Sequence, residues 1–560
     1  MRIALAQQNY HIGNFESNTQ KIINGIEKAK QSGADLVVFS ELCVCGYPPR
    51  DFLEFEDFIN KCYESVDRIR EYADGIGVLI GAPDKNPVRE GKDLFNAAFL
   101  LYDKQIKGVA HKTCLPNYDV FDEYRYFEPA YNWQVMEFKG KKLAVTICED
   151  IWNLGDNPLY RNCPMDELIA QQPDIMINLS ASPFDYTHVE DRKAILKLNT
   201  TKYKLPMLYC NCVGSQTEIV FDGGSLVFDK HSNMVAQLPL FKEAIEIFEL
   251  NDDGDFLGPV ATNAEALPDA EFNPDELDHN LCTAEIYDAI VMGIRDYFTK
   301  MGFTKAILGS SGGIDSAVTL AIACDALGKE NVRAIMMPSQ YSTGHSVSDA
   351  EQLSKTLGNP YDIIPIKNIY DSFLKELDPL FKDLPFSIAE ENIQSRARGN
   401  LLMAIANKFG YILLNTSNKS ELATGYGTLY GDMAGGLAVL GDCYKMQVYA
   451  LAKYINHNQE IIPNNIIVKP PSAELRPGQK DSDSLPDYAV LDRMLYQYIE
   501  RRRGPKEIKA MGFEPALVER VLRMVNLNEY KRNQFCPIIR ISPKAFGVGR
   551  RVPIVGKYLS

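Results

Sequence analysis

Four times in the first half of this chain, a run of aliphatic and β-branched residues stops abruptly at polar, reactive side chains. The segments are ADLVVFSELCVCGYPP, KKLAVTICEDIW, PDIMINLSASPF and LPMLYCNCVGSQ, beginning at Ala34, Lys141, Pro173 and Leu205. Runs this short and this apolar suit strands covered on both faces. Strands of that kind present their chemistry at their carboxyl ends. Helical patterns lie between them, as from Asn18 to Gln31, and the opening MRIALAQQNYHIG reads as a further strand. The pattern predicts an α/β domain over residues 1–255.

At Asn251 the composition changes to Asp, Glu, Asn, Gly and Pro and stays so to Asn280. A linker over 256–280 is expected there. A helix is expected from about Cys282, stopping at Gly302. Then KAILG, VRAIMMPS, YDIIPI and GYILLNTSNKSE alternate with helical stretches. That alternation predicts a second domain over 281–560, built on a doubly wound, mostly parallel sheet.

Bulk properties exclude several classes. A net charge of −15 argues against nucleic acid as a partner, although Arg493–Ser560 alone carries 15 Lys+Arg against 5 Asp+Glu. No uncharged apolar run reaches the ~18 residues that a membrane span needs. The amino terminus lacks the pattern of a secretory signal, so a cytoplasmic location is expected. Twelve cysteines in 560 residues are too sparse for a disulfide scaffold. The pairs Cys43/Cys45 and Cys210/Cys212 have no further ligands at zinc spacing, so no structural zinc is expected.

One loop of the second domain is unusual. Between the strand Lys305–Leu308 and the helix expected from Asp315 stands SSGGIDS, Ser310–Ser316. Glycines let a backbone approach an anion, and the helix start offers free N–H groups and a positive dipole end. The loop lacks the G-K-[ST] of a Walker loop. An aspartate inside a phosphate cradle repels phosphate unless a cation intervenes, so Asp315 implies Mg²⁺. The alternative is an ordinary glycine-rich turn with a helix cap.

S-G-G-x-D-S resembles the pyrophosphate loop of the ATP-pyrophosphatases. The surrounding half, about Cys282–Arg551, resembles the NAD synthetases through ENIQSRARGN, NTSNKSELATGYGTLYGDMAGG, KPPSAELRPGQKDSDSLPDY and EYKRNQFCP. The resemblance implies a Rossmann-like fold with ATP held by Gly309, Ser310, Ser311, Gly312, Gly313, Ile314, Asp315, Ser316 and Thr416. It implies deamido-NAD⁺ contacts at Asn392, Glu421 and Lys531, and Mg²⁺ at Asp315 and Glu421. The segment Ser472–Tyr488 resembles a closing strap, expected to be mobile when the site is empty.

TICEDIW places Cys148 directly after an apolar run. A thiol nucleophile needs a base and a nearby cation. Glu41 in FSELCVCGYPPRD and Lys112 in AHKTCLPNYDVFDEYRYF are both expected at strand ends, on one rim with Cys148. Together the three resemble the Glu-Lys-Cys triad of the nitrilase superfamily, over about Met1–Lys230. That resemblance implies an α-β-β-α sandwich, a supporting carboxylate at Glu123, and glutamine held by Tyr118, Ser182 and His188. His188 departs from the family, where Lys or Arg is commoner.

The two halves together resemble the glutamine-dependent NAD⁺ synthetases. This implies ATP-driven amidation of deamido-NAD⁺ by glutamine-derived ammonia through an acyl adenylate, with a shielded ammonia tunnel and a homo-oligomer. Another glutamine-dependent ATP-pyrophosphatase amidotransferase, or a catalytically silent homologue, remains open at this point.

Overall fold

The computed structural model describes residues 1–154, 158–257, 277, 282–382 and 384–559. The chain divides into two compact units, Met1–Ala270 and Glu271–Ser560. Most of the expected linker 256–280 lies outside the described residues. At its edges, Phe256–Leu257 pairs as a strand with Ala244–Leu250, and Leu277 packs in a core of the second unit.

In the first unit, side-chain alternation builds four layers. Ala4 and Ala6 on the strand Arg2–Gln7 pack with Ile22, Ile26, Ile59 and Val66 from the helices Phe15–Gln31 and Glu56–Arg70. Ile3 and Leu5 point the other way, into a core shared with Val145, Ile177 and Leu208 of a second sheet. The far face of that sheet, Ala144, Met176 and Met207, packs with Ile195 and Leu196 of the helix His188–Tyr203. The order is helix, sheet, sheet, helix, the sandwich that the nitrilase resemblance implies.

The first sheet has seven strands, with Arg2–Gln7, Leu36–Val38 and Gly77–Lys85 parallel at its centre. The second has six, and its parallel centre is Lys141–Ile147, Ile175–Ser180 and Met207–Asn211. The four apolar runs are thus all strands. Their reactive ends belong to two sheets stacked face to face, and the expected rim draws on both.

The second unit holds a five-stranded, all-parallel sheet. Its strands run Tyr361–Ile363, Val332–Met336, Ala306–Gly309, Ile412–Asn415 and Leu437–Ala438 across the sheet. The order therefore reverses between Ala306–Gly309 and Ile412–Asn415, where a doubly wound sheet opens a crevice for ligands. The helix Ile314–Leu327 is apolar nearly all round and almost wholly buried beside it. No described helix is long and apolar enough to cross a membrane.

Candidate active sites

Cys148 follows the strand Lys141–Ile147 and opens a tight turn, Cys148–Ile151, at φ 43°. A left-handed backbone at a non-glycine residue costs about 1 kcal/mol or more and persists only where its surroundings fix it. Asp150 does the fixing. One of its oxygens accepts the Ile147 N–H at 3.0 Å, and the other accepts the N–H groups of Thr113 (2.9 Å) and Cys114 (2.8 Å). The same carboxylate that shapes the cysteine turn therefore anchors the segment carrying Lys112.

Glu41 arrives on the first sheet through a close approach. A Cβ on Gly81 would lie 2.3 Å from the Leu42 nitrogen, so only glycine lets the Ser40–Leu42 turn press against this strand. Lys112 then donates to Glu41 Oε1 at 2.7 Å and to Glu123 Oε1 at 2.8 Å. Asn96 Nδ2 (2.7 Å) and the Ala181 N–H (3.0 Å) hold Glu41, and the Tyr47 hydroxyl holds Glu123 at 2.7 Å. Glu41, Lys112, Glu123 and Cys148 are all buried.

Burial works against the Lys112 charge, but Glu123 and Glu41 outweigh it and keep the ammonium well above the usual lysine range. Burial, reinforced by Glu41, drives the Cys148 thiol well up, with Lys112 opposing. Cys148 therefore rests as a protonated thiol, whose proton would have to leave before the sulfur could act as a nucleophile. Burial also raises Glu123, against the pull of Lys112.

Of the three residues read as glutamine contacts, two meet. Ser182 Oγ and His188 Nε2 are 2.9 Å apart, and the His188 ring stacks on Trp152 with centroids at 4.9 Å. Tyr118 instead donates to Glu149 Oε1 at 2.8 Å, which Tyr160 also reaches at 3.1 Å. Burial lifts the Glu149 carboxyl to about 7, against the Tyr118 hydrogen bond. Glu149 and Asp150 were missed in the sequence, although they follow Cys148 directly and their side chains are buried beside it.

In the second unit, the strand Ala306–Gly309 leads into the glycine-serine loop and the helix Ile314–Leu327. Gly312 has φ +75°, and a Cβ there would sit 2.1 Å from the Ser346 carbonyl oxygen. The loop is tied within itself: Ser311 Oγ accepts the Gly313 N–H at 3.1 Å, and Ser316 Oγ donates to the Gly313 carbonyl at 3.0 Å. Every residue from Gly309 to Ser316 except Gly312 lines a cavity of about 290 Å³, and Thr416 and Glu421 line it with them.

Asp315 is already balanced. Lys445 Nζ lies 2.6 Å from its Oδ2, Asn418 Nδ2 donates to its Oδ1 at 2.9 Å, and Lys445 reaches Glu421 Oε1 at 3.5 Å. Burial, then Asp315, lifts Glu421 to about 8, with Lys445 opposing. Among the described residues no group of three or more His, Cys, Asp or Glu forms a metal cage. Two facing carboxylates beside a phosphate loop do fit Mg²⁺, which takes one or two carboxylates and completes its shell with phosphate oxygens and water. Lys445 carried no signal in the sequence, and Asn418 stood unremarked within NTSNKSE; only the fold brings them to Asp315.

Asn392 and Lys531 converge on one loop. Asn392 Oδ1 accepts the Thr428 hydroxyl at 2.7 Å, and Lys531 donates to the carbonyls of Gly425 and Gly427, both at 2.8 Å. Residues of that loop border both the first cavity and a second of about 380 Å³ lined by Asn400, Leu429, Tyr430 and Gln534. The strap expected to be mobile is laid along the first cavity. Glu474 accepts the Ser346 hydroxyl at 2.6 Å, the Leu475 carbonyl accepts Gln394 Nε2 at 2.8 Å, and Asp481 accepts the Tyr488 hydroxyl at 2.9 Å.

Comparison with known proteins gives a family for each unit. Residues 2–253 match the carbon-nitrogen hydrolase family and residues 286–535 the NAD synthase family. A glutamine-dependent NAD(+) synthetase from Synechocystis sp. is 44% identical, over 99% of this chain and 98% of its own length. Another from Thermotoga maritima is 41% identical, over 100% and 99%. The solved structure of a glutamine-dependent NAD⁺ synthetase from Acinetobacter baumannii, in complex with ADP, is similar with a TM-score of 0.77 and 40% identity, covering 99% of this chain and 98% of that one.

Proposed function

The chain belongs to the glutamine-dependent NAD(+) synthetases, and on that premise we propose how its own residues carry the reaction. It is a glutamine-hydrolysing NAD⁺ synthase, amidating deamido-NAD⁺ with nitrogen from glutamine at the expense of ATP.

In the first unit, Cys148 Sγ attacks the side-chain amide carbon of glutamine while Glu41 takes the thiol proton. Lys112, its charge secured by the two carboxylates, donates to the oxyanion of the tetrahedral intermediate. Glu41 returns the proton to the leaving nitrogen, and ammonia departs. Water, deprotonated by Glu41, then cleaves the glutamyl thioester and releases glutamate. Ser182 and His188 hold the amino-acid end of glutamine together with Tyr118.

In the second unit, a carboxylate oxygen of the nicotinate ring attacks the α-phosphorus of ATP, and pyrophosphate leaves toward the Ser311–Ser316 loop. Asp315 and Glu421 would hold Mg²⁺, which when bound would supply charge neutralisation at the phosphates. Ammonia attacks the acyl carbon of the adenylate and AMP leaves. Asn392, Glu421 and Lys531 hold the dinucleotide, and Thr416 the nucleotide. Supporting this reading is one observation above all: the Lys112 ammonium lodged between Glu41 and Glu123, beside a cysteine held at positive φ.

We also propose a cytoplasmic homo-oligomer. Around the helix Lys367–Phe381, Phe373, Leu380, Leu384, Phe386 and Ile388 are exposed, and apolar side chains exposed close together in the chain are the kind that a second subunit covers. Light scattering on the purified protein tests this, and a monomer at micromolar concentration would refute it. The activity is tested by following AMP with ATP, glutamine and deamido-NAD⁺, against a panel of other carboxylic acids. AMP should form with deamido-NAD⁺ alone among them.

A further inference from the structure

Arg398 lies on the helix Ile388–Phe409 and lines the same cavity as the glycine-serine loop. Its Nε donates to the Met337 carbonyl at 3.0 Å, just past the strand Val332–Met336. That bond fixes the plane of the guanidinium. The terminal nitrogens make no hydrogen bond to any described residue, and none of its carboxylates is within ion-pair distance. Asp432 and Glu474 act on Arg398 through space only, and burial pulls its charge below the usual arginine range against them.

The neighbouring cations are treated differently. Lys445 has Asp315 at 2.6 Å, and Lys469 donates to Ser346 Oγ at 3.2 Å. Arg398 is a planar double donor, partly buried in the cavity wall, with a fixed orientation and no anion against it. A guanidinium held this way on a cavity wall is poised to take an anionic ligand through its fork.

Its position narrows the ligand. Met337, which anchors Arg398, and Leu402, one helical turn further along, both flank Gly309: a Cβ there would lie 3.3 Å from Met337 Cε and 3.4 Å from Leu402 Cδ1. The guanidinium therefore stands beside the entry of the phosphate loop, across the strand-order reversal from Thr416. We propose that Arg398 is a phosphate-binding residue of the synthetase, its fork taking phosphate oxygens of ATP. A guanidinium matches phosphate with two parallel hydrogen bonds, which an ammonium cannot do. This assignment rests on the reading of the cavity as the ATP site.

The test uses the full-length enzyme with Mg²⁺, titrating ATP and deamido-NAD⁺ separately by calorimetry. Arg398→Gln should raise the ATP Kd at least tenfold, since the charge-assisted bonds to phosphate are lost. Arg398→Lys should recover only part of that loss, and deamido-NAD⁺ affinity should stay within twofold of wild type. An unchanged ATP Kd, or a loss confined to deamido-NAD⁺, overturns the proposal. Wild-type protein that fails to bind ATP would instead refute the reading of the cavity. Should the variants not fold, phenylglyoxal modification of the wild type followed by mass spectrometry decides the matter. ATP should protect Arg398 at least fivefold, and equal modification with and without ATP overturns the assignment.

Discussion

Lys445 Nζ lies 2.6 Å from Asp315 Oδ2, so the one carboxylate inside the phosphate loop has a cation against it before any nucleotide arrives. The two side chains are 130 residues apart in the chain. Without that ammonium, Asp315 and the nearby Glu421 would repel both each other and any phosphate. With it, both carboxyls share one ammonium, Lys445 Nζ lying 3.5 Å from Glu421 Oε1.

Asp315→Asn removes one of the two charges offered to Mg²⁺ while keeping the Asn418 contact possible. Half-maximal adenylation, followed as AMP release, should then require at least tenfold more Mg²⁺. Glutamate release at Cys148 should persist. A Mg²⁺ titration identical to wild type would mean that this carboxylate does not serve the metal.

Lys112→Met leaves Glu41 and Glu123 buried with no counter-charge. Breaking a buried ion cluster from one side costs about 3–5 kcal/mol. Urea denaturation should show a loss of that size, and glutamine hydrolysis should vanish. A loss under ~1 kcal/mol would mean that the two carboxyls do not both carry charge around Lys112 in the folded chain.

Glu149 gives a pH signature. Its folded carboxyl titrates near 7 because of burial, against 4.5 for an ordinary glutamate. The folded chain therefore binds the extra proton between those values, and the stability it brings is complete below pH 4.5 and lost as pH rises through 7. Glu149→Gln cannot ionise, and its amide oxygen still accepts from Tyr118 and Tyr160. Relative to wild type, the variant should gain up to about 3 kcal/mol on going from pH 5 to pH 8. Parallel stability curves over that range would contradict the burial of a charge there.

What could be read in advance follows from chain continuity. Glu41, Cys148 and Ser311–Ser316 each end a strand within a few residues, so a local pattern announces them. Lys112 was legible only beside its motif, because nothing local says that two carboxylates will close on it. Glu149 and Asp150 stood in plain view after Cys148, yet their roles depend on partners at Tyr118 and Cys114. Lys445 was silent, and Asn418 and Arg398 stood unremarked inside NTSNKSELATG and ENIQSRARGN, two of the segments that carry the resemblance. Only the strand order of the second sheet gathers the three. The pairing of the two sheets was not legible for a related reason: periodicity tells that a strand is covered on both faces, but not which sheet covers it.

Removal of Asn392 or Lys531 should loosen the Gly425–Thr428 loop as well as the dinucleotide. Lys531→Met frees two carbonyls that now share its ammonium. The KM for deamido-NAD⁺ should rise at least fivefold, with the KM for glutamine in hydrolysis alone unchanged. A rise in both would point to a general loss of folding instead.

The central claim is that two separate chemistries, one releasing ammonia and one consuming it, reside on this chain. Cys148→Ala tests it most directly, assayed for NAD⁺ with ATP and deamido-NAD⁺ and either glutamine or a high concentration of ammonium salt. With glutamine, NAD⁺ formation should fall below one-hundredth of wild type; with ammonium it should stay within about twofold. Equal loss with both nitrogen sources, in protein that melts as wild type does, would contradict the division of labour between Cys148 and the Ser311–Ser316 loop.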